Sequence, residues 1–251
     1  MRICLQNYVG VIDSGVGGLT ILKQLQRDYP TCNFVYLADN LFCPYGTKQS
    51  NEILSRVRQL IAFLNECGVQ AVVIACNTAS VFVDTLRQQF NIPIYDVINP
   101  TCKRVATITK SNRVALLATN ATVNSGVYQR LLNASGISVV PFPCSQFVPF
   151  VETDTVDTAD CSIAVENALS HLPKCNVDAV ILGCTHFPLL RKKIAPLVCG
   201  ATIVECCTDF RPLSNCDNKP TKTKFLTTGV EKQVNIAAKW FGQANFLHID
   251  L

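Results

Sequence analysis

The chain has 251 residues, 49% of them hydrophobic and 16% charged, with a formal net charge of +4. That length allows one large domain or two of about 100–150 residues each, and the composition builds a sizeable core and excludes extensive disorder. The charge is too weak and too scattered for a nucleic-acid partner, no apolar run approaches the roughly 18 residues of a membrane span, and no signal-peptide apolar region precedes the first strand; a cytoplasmic protein with a small-molecule partner is expected.

A first strand is expected over residues 9–12, followed by the glycine-rich stretch Asp13-Ser14-Gly15-Val16-Gly17-Gly18. A helix starts at about Leu19 and is closed by Pro30. A second strand covers residues 34–37, ending at Asp39, and Pro44-Tyr45-Gly46-Thr47 reads as a turn. Ile53, Leu54, Val57, Leu60, Ile61 and Leu64 recur at helical spacing, with Gly68 as the stop. A strand over 71–75, a helix to about 90 and a short strand over 94–97 complete this part.

The pattern then restarts. Residues 114–119 resemble the first strand, a helix over 127–133 ends at Gly136, and residues 138–140 form a strand before a loop opened by Pro141-Phe142-Pro143. A helix over about 159–172 precedes a strand over 179–183, and another helix covers 189–197. The tail holds one more helix, 230–240, and a last apolar stretch, 246–249, that packs back on the first half. Alternating strands and helices imply an α/β fold with parallel sheets.

Two segments look alike, and each ends in a cysteine. Ala71-Val72-Val73-Ile74-Ala75-Cys76-Asn77-Thr78 matches Ala179-Val180-Ile181-Leu182-Gly183-Cys184-Thr185-His186. Such apolar, β-branched runs suit strands buried on both faces. The polar residues that stop them then lie at the carboxyl edge of a sheet, where open α/β folds hold ligands. The matching first strands are 105 residues apart and the matching cysteines 108 apart. We read two similar halves, residues 1–97 with 210–251 and residues 98–209, facing each other with the ligand between them.

Fourteen cysteines is a high count, but a chain this long and apolar does not need a disulfide framework, and most are expected to be small buried hydrophobes. Cys199, Cys206, Cys207 and Cys216 cluster late, yet their spacing matches no common zinc module; no metal is expected. Cys76 and Cys184 stand apart by their matched settings. Thiols on two similar frameworks suit a reaction that treats both faces of one substrate alike, as racemisation does. One thiolate takes the α-proton, the thiol opposite returns one, and the roles swap for the other enantiomer. Each thiol must be brought down from about 8.5; Asp13 and His186 are the available partners, and helix N-termini after each cysteine favour thiolate.

The stretch from Asp13 to Gly18 is neither G-x-G-x-x-G nor a P-loop. Read functionally, its backbone N–H groups and Ser14 hold a substrate carboxylate at a helix N-terminus. His171 and His248 lack such neighbours and are expected to be structural or solvated.

Asp13-Ser14-Gly15-Val16-Gly17-Gly18-Leu19-Thr20, Pro44-Tyr45-Gly46-Thr47-Lys48, Ala75-Cys76-Asn77-Thr78-Ala79-Ser80, Phe147-Val148-Pro149-Phe150-Val151-Glu152 and Leu182-Gly183-Cys184-Thr185-His186-Phe187-Pro188 together resemble the signatures of the glutamate racemases, in order and spacing. The resemblance implies two pseudo-symmetric α/β domains with parallel-rich sheets facing each other across an active-site cleft. It also implies cofactor-independent interconversion of L- and D-glutamate, supplying D-glutamate for peptidoglycan, in an enzyme that forms a homodimer in some relatives. Carried over, Cys76 is the base for D-glutamate and Cys184 the base for L-glutamate. Asp13 and His186 assist them, with Glu152 near the second. Asp13, Ser14, Pro44, Tyr45, Gly46, Cys76, Asn77, Thr78, Thr119, Thr122, Cys184, Thr185 and His186 fall at substrate-binding positions. The alternatives are a related racemase acting on aspartate or another amino acid, and a gyrase-binding regulatory role on the same scaffold. The chain departs from the pattern at Ala38-Asp39-Asn40, where Gly-Asp-Thr is usual, and at Glu205-Cys206-Cys207, where Asp-Ser is usual.

Overall fold

A computed structural model describes residues 3–211, 222–229, 241–242 and 245–251. Its strands are β1 (Tyr8–Asp13), β2 (Asn33–Ala38), β3 (Ala71–Ile74), β4 (Ile94–Tyr95), β5 (Arg113–Ala118), β6 (Ser138–Pro143), β7 (Ala179–Gly183), β8 (Thr202–Glu205), β9 (Thr223–Thr227) and β10 (Phe246–His248). They form a six-stranded sheet in the order β10-β9-β2-β1-β3-β4 and a four-stranded sheet in the order β6-β5-β7-β8. Every pairing is parallel. The second sheet thus repeats the order of β2-β1-β3-β4, and the register repeats too: Val9 lies beside Ala71, and Val114 beside Ala179.

β1, β3 and β7 are buried along their whole length because both faces are covered. Val9 and Val11 of β1 share one core with Ala115 and Leu117 of β5 and with Val180 and Leu182 of β7. The alternate residues face outward into separate cores. Ile12, Val72 and Ile74 pack under the helix Ser50–Glu66, and Val114, Leu116 and Ile181 pack under the helices Ile98–Ile108 and Val127–Asn133. One continuous core therefore joins the inner faces of both sheets, and the period of two along each strand assigns side chains to one core or the other.

Several elements differ from the sequence reading, each for a local reason. The helix expected to run to 90 is two short pieces, Asn77–Ser80 and Val83–Arg87. The Ser80 hydroxyl turns back to donate to the Ile74 carbonyl at 3.0 Å, a local bond that competes with helix continuation. The strand at 94–97 stops at Tyr95 because Asp96 instead accepts the backbone N–H groups of Ile98 and Asn99, both at 2.8 Å, capping a helix the sequence reading missed. β6 runs through Pro141 and Pro143, which an edge strand tolerates. Pro188 and Pro196 break the helix expected over 189–197 into the pieces Phe187–Leu190, Arg191–Ile194 and Ala195–Leu197. The helix expected over 159–172 ends at Leu169, and a separate turn covers Leu172–Lys174.

The helix expected over 230–240 lies outside the described residues. The tail does return to the first half, since β9 and β10 extend the first sheet beyond β2. Cys32 is disulfide-bonded, contrary to the expectation that disulfides are unneeded, whereas twelve other described cysteines are free thiols. Among the described residues no helix is long and apolar enough to cross a membrane, and no cluster of His, Cys, Asp and Glu suited to a metal ion occurs.

Candidate active site

In each sheet the chain leaves the first strand to one side and returns on the other, so the crevice lies between β1 and β3 and between β5 and β7. Asp13 ends β1, Cys76 follows β3, Thr119 follows β5 and Cys184 follows β7. All four stand at the carboxyl edges of their sheets, at the switch points where α/β folds bind ligands. One pocket is lined by Ser14, Pro44, Tyr45, Gly46, Cys76, Asn77, Thr78, Thr119, Val148, Cys184, Thr185 and His186. The two matched thiols therefore face one space.

Three of the sequence-derived site residues lie just behind this wall. Asp13 is buried and accepts the Thr185 hydroxyl at 3.1 Å and the Gly15 N–H at 3.0 Å. It thus supports the wall from behind, through Thr185. Thr122 does the same: its hydroxyl lies 3.2 Å from that of Thr78 and 3.0 Å from that of Thr119, and these two are 2.9 Å apart. Glu152 reaches the site through His186, whose Nε2 lies 2.5 Å from Glu152 Oε1. The same oxygen accepts the Val16 N–H at 3.0 Å.

The glycine-rich loop is shaped by these contacts. Tyr36 donates its hydroxyl to the Gly15 carbonyl at 2.6 Å. A Cβ on Gly17 would stand 2.6 Å from both His186 Nδ1 and Thr185 Oγ1, and one on Gly15 would meet Glu152 Oε1 at 2.1 Å. Glycine is required here because the second half of the molecule approaches the backbone this closely.

The thiols have different company. Cys76 Sγ lies 3.8 Å from Ser14 Oγ. Burial, reinforced by the charge of Asp13, pushes it up to about 12, so it rests as a thiol. Burial also pushes Asp13 up to about 6, against the attraction of His186. Cys184 Sγ lies 3.6 Å from His186 Nδ1. Burial opposes a charge on His186, but hydrogen bonds to Cys184 and Glu152 hold it well above the usual imidazole range. An imidazolium in this place donates one N–H to Glu152 and stabilises negative charge on the Cys184 sulfur. The repeat copies the thiols and not the charged groups beside them: by register the equivalent of Asp13 is Ala118, and the equivalent of His186 is Thr78.

Sequence reasoning missed Val148 on the pocket wall and the group that holds Tyr45. Tyr45 donates its hydroxyl to Asp39 Oδ2 at 2.7 Å, and Arg56 grips Asp39 with Nε at 2.9 Å and Nη2 at 2.7 Å. Arg56 falls on the buried stripe of its helix, beside Ile53, Val57 and Leu60. A charged residue on an apolar stripe is the signal that would have found this pair. Cys43, a third thiol near Asp13 and Glu152, was also unremarked; burial raises it far above the usual thiol range. His248 is half-exposed and bonded to the Gly229 carbonyl, away from the pocket.

A family model described as Asp/Glu/Hydantoin racemase matches residues 19–208. The glutamate racemase of Aquifex aeolicus is 36% identical over 198 residues, 78% of this chain and 78% of that protein. Among solved structures, a glutamate racemase isoform from Bacillus anthracis superposes with a TM-score of 0.89 at 31% identity, covering 98% of both chains. The glutamate racemase of Francisella tularensis, solved in complex with D-glutamate, gives 0.85 at 28% identity over 98% of this chain and 97% of that one.

Proposed function

Since the chain belongs to the Asp/Glu/hydantoin racemase family, among its glutamate racemases, we propose that it interconverts L- and D-glutamate with Cys76 and Cys184 as opposed bases and no cofactor. The activity is that of an amino-acid racemase, an isomerase. The observation that carries the two-base reading is the pair of thiols on matched strand ends of two sheets, lining one pocket. The D-glutamate so made supplies peptidoglycan.

In this reading Cys184 takes the α-proton of L-glutamate. The electron pair passes into the α-carboxylate, and Cys76 delivers its proton to the opposite face of Cα. The cycle leaves Cys184 protonated and Cys76 as thiolate, the state that acts on D-glutamate. Asp13 accepts and returns the Cys76 proton, and His186, steadied by Glu152, does so for Cys184. The substrate ammonium adds positive charge beside both sulfurs, which favours thiolate during turnover. Ser14, Asn77 and the hydroxyls of Thr78, Thr119 and Thr185 supply donors for the carboxylates, and Pro44, Tyr45 and Gly46 form a wall.

Residues 1–97 with 210–251 make one half of this arrangement and residues 98–209 the other. Phe210 supports the boundary, because its ring packs edge-on against Tyr29, Phe34 and Tyr95 of the first half. The pocket between the halves has a volume of about 10 Å³, room for about one water. A five-carbon diacid needs more room than this.

Incubation of the protein with each enantiomer in D2O, with no cofactor added, tests the activity. Loss of the α-proton signal together with appearance of the opposite enantiomer is expected. An inert glutamate beside a reactive aspartate overturns the substrate assignment. The close approach at Gly17 gives a second test. Gly17→Ala pushes on His186 and Thr185, and kcat is expected to fall about 100-fold in a folded protein, as for an ångström-scale misplacement of catalytic groups. Near-normal turnover in this variant would mean that the loop yields without disturbing them.

A further inference from the structure

Asn77 is the first residue of the helix Asn77–Ser80, adjacent to Cys76, and it lines the pocket. Its carboxamide carries one acceptor oxygen and two N–H donors. The oxygen accepts the Tyr128 hydroxyl at 2.7 Å. One N–H is given to Cys206 Sγ at 3.3 Å. The single S–H of Cys206 faces two acceptors, the Leu182 carbonyl at 3.2 Å and Asn77 Oδ1 at 3.4 Å, and its sulfur lies 3.7 Å from the Tyr128 hydroxyl. Among the described residues the second N–H of Asn77 has no protein acceptor.

Both residues that hold this amide belong to the second half of the chain, whereas Asn77 belongs to the first. Tyr128 is fully buried on the helix Val127–Asn133, and Cys206, also buried, follows β8. A buried tyrosine hydroxyl needs a partner, and a phenol that donates to the amide oxygen turns the NH2 group the other way. With Tyr128 already on the amide oxygen, the Cys206 S–H goes to the nearer of its two acceptors, the Leu182 carbonyl, and the sulfur offers that NH2 group an acceptor. Together they leave one amide hydrogen uncommitted at a pocket wall beside a catalytic thiol.

We propose that Tyr128 and Cys206 are positioning residues for substrate binding, acting through Asn77: they lock its carboxamide so that the free N–H donates to a carboxylate oxygen of the amino-acid substrate. The proposal rests on the glutamate reading above. It makes substrate affinity depend on two residues that do not line the pocket. The carboxylate meant is that of the substrate side chain, which takes up no charge when Cα is deprotonated, so the loss falls on binding and not on the chemical step.

The test compares glutamate affinity by isothermal titration calorimetry with steady-state kinetics for Tyr128→Phe, Cys206→Ala, Cys206→Ser and Asn77→Ala. Racemisation of glutamate releases no net heat, because the enantiomers are mirror images, so the calorimeter reads binding alone. Tyr128→Phe and Cys206→Ala are each expected to raise the Kd for the equilibrated glutamate mixture, and the KM for each enantiomer, about 3- to 10-fold, the range of one neutral hydrogen bond. Their kcat is expected to stay within about two-fold. Cys206→Ser is expected to bind like the parent protein, because a hydroxyl both accepts from Asn77 and donates to Leu182. In an Asn77→Ala background, Tyr128→Phe is expected to add nothing. An unchanged Kd in Tyr128→Phe, or a further rise when it is combined with Asn77→Ala, overturns the proposal. A parent protein that binds glutamate without racemising it overturns the catalytic reading and leaves the binding comparison able to decide this one.

Discussion

Replacing either Cys76 or Cys184 by alanine is expected to lower kcat/KM at least about 1000-fold in both directions, because each direction needs one thiol to remove a proton and the other to supply one. The equality of the two losses is a matter of symmetry. L- and D-glutamate have the same free energy, so the ratio of forward to reverse kcat/KM stays at unity for any variant. The variants differ in what they retain. Cys76→Ala keeps the thiol assigned to L-glutamate, so α-proton exchange with D2O is expected for L-glutamate without inversion. Cys184→Ala is expected to exchange only D-glutamate. Exchange of the opposite enantiomers would reverse the assignment of the two bases. Full racemisation by either variant would end the two-base account. Both cysteines are buried and small, so neither alanine leaves a large cavity.

The two thiols were legible in the sequence because their strands are. A strand buried on both faces has to be apolar throughout, and β3 and β7 each lie inside their sheets with a strand on either side. Their abrupt polar ends mark the sheet edge without any knowledge of the fold. β8 and β9 escaped notice for the converse reason. β8 lies at the edge of its sheet and reads Thr-Ile-Val-Glu, with only Val204 fully buried, and β9 carries Lys224 in mid-strand. Short helices broken by prolines read as single long ones, since periodicity registers the apolar face and not the interruptions. The groups that orient the site were least visible. Asp39 and Arg56 are 17 residues apart and Asn77 and Cys206 are 129 apart. Such pairs are made by the closing of the fold, and nothing in local pattern records them. Tyr128 looks like an ordinary core residue on an amphipathic turn until its hydroxyl is followed to Asn77.

On the proposed mechanism the pH dependence of kcat/KM is expected to be bell-shaped, with its limbs set by Asp13 and His186, which the repeat does not copy. Burial raises Asp13 to about 6, so it is a carboxylate, able to relieve Cys76 of its proton, only above that pH. Activity therefore rises as pH passes about 6. The substrate's side-chain carboxyl titrates near 4.3 and does not account for this limb. His186 is held above its usual range by Cys184 and Glu152 against the cost of burial, so it keeps its charge through neutrality. Activity falls at higher pH as that charge is lost. The groups interact across one pocket, so the limbs report the coupled site and not isolated residues. Asp13→Asn is the decisive variant. Asparagine preserves the shape and the backbone contact but accepts no proton, and kcat/KM is expected to fall about 100- to 1000-fold in both directions with the limb near 6 abolished. An acid limb that survives the substitution would assign it to another group, and an unchanged rate would remove Asp13 from the proton path. The asymmetry between carboxylate and imidazole then has only one place to appear. Since kcat/KM stays equal for the two enantiomers, it is expected in kcat and KM separately, with Asp13→Asn shifting the balance of the resting enzyme toward the form that accepts L-glutamate.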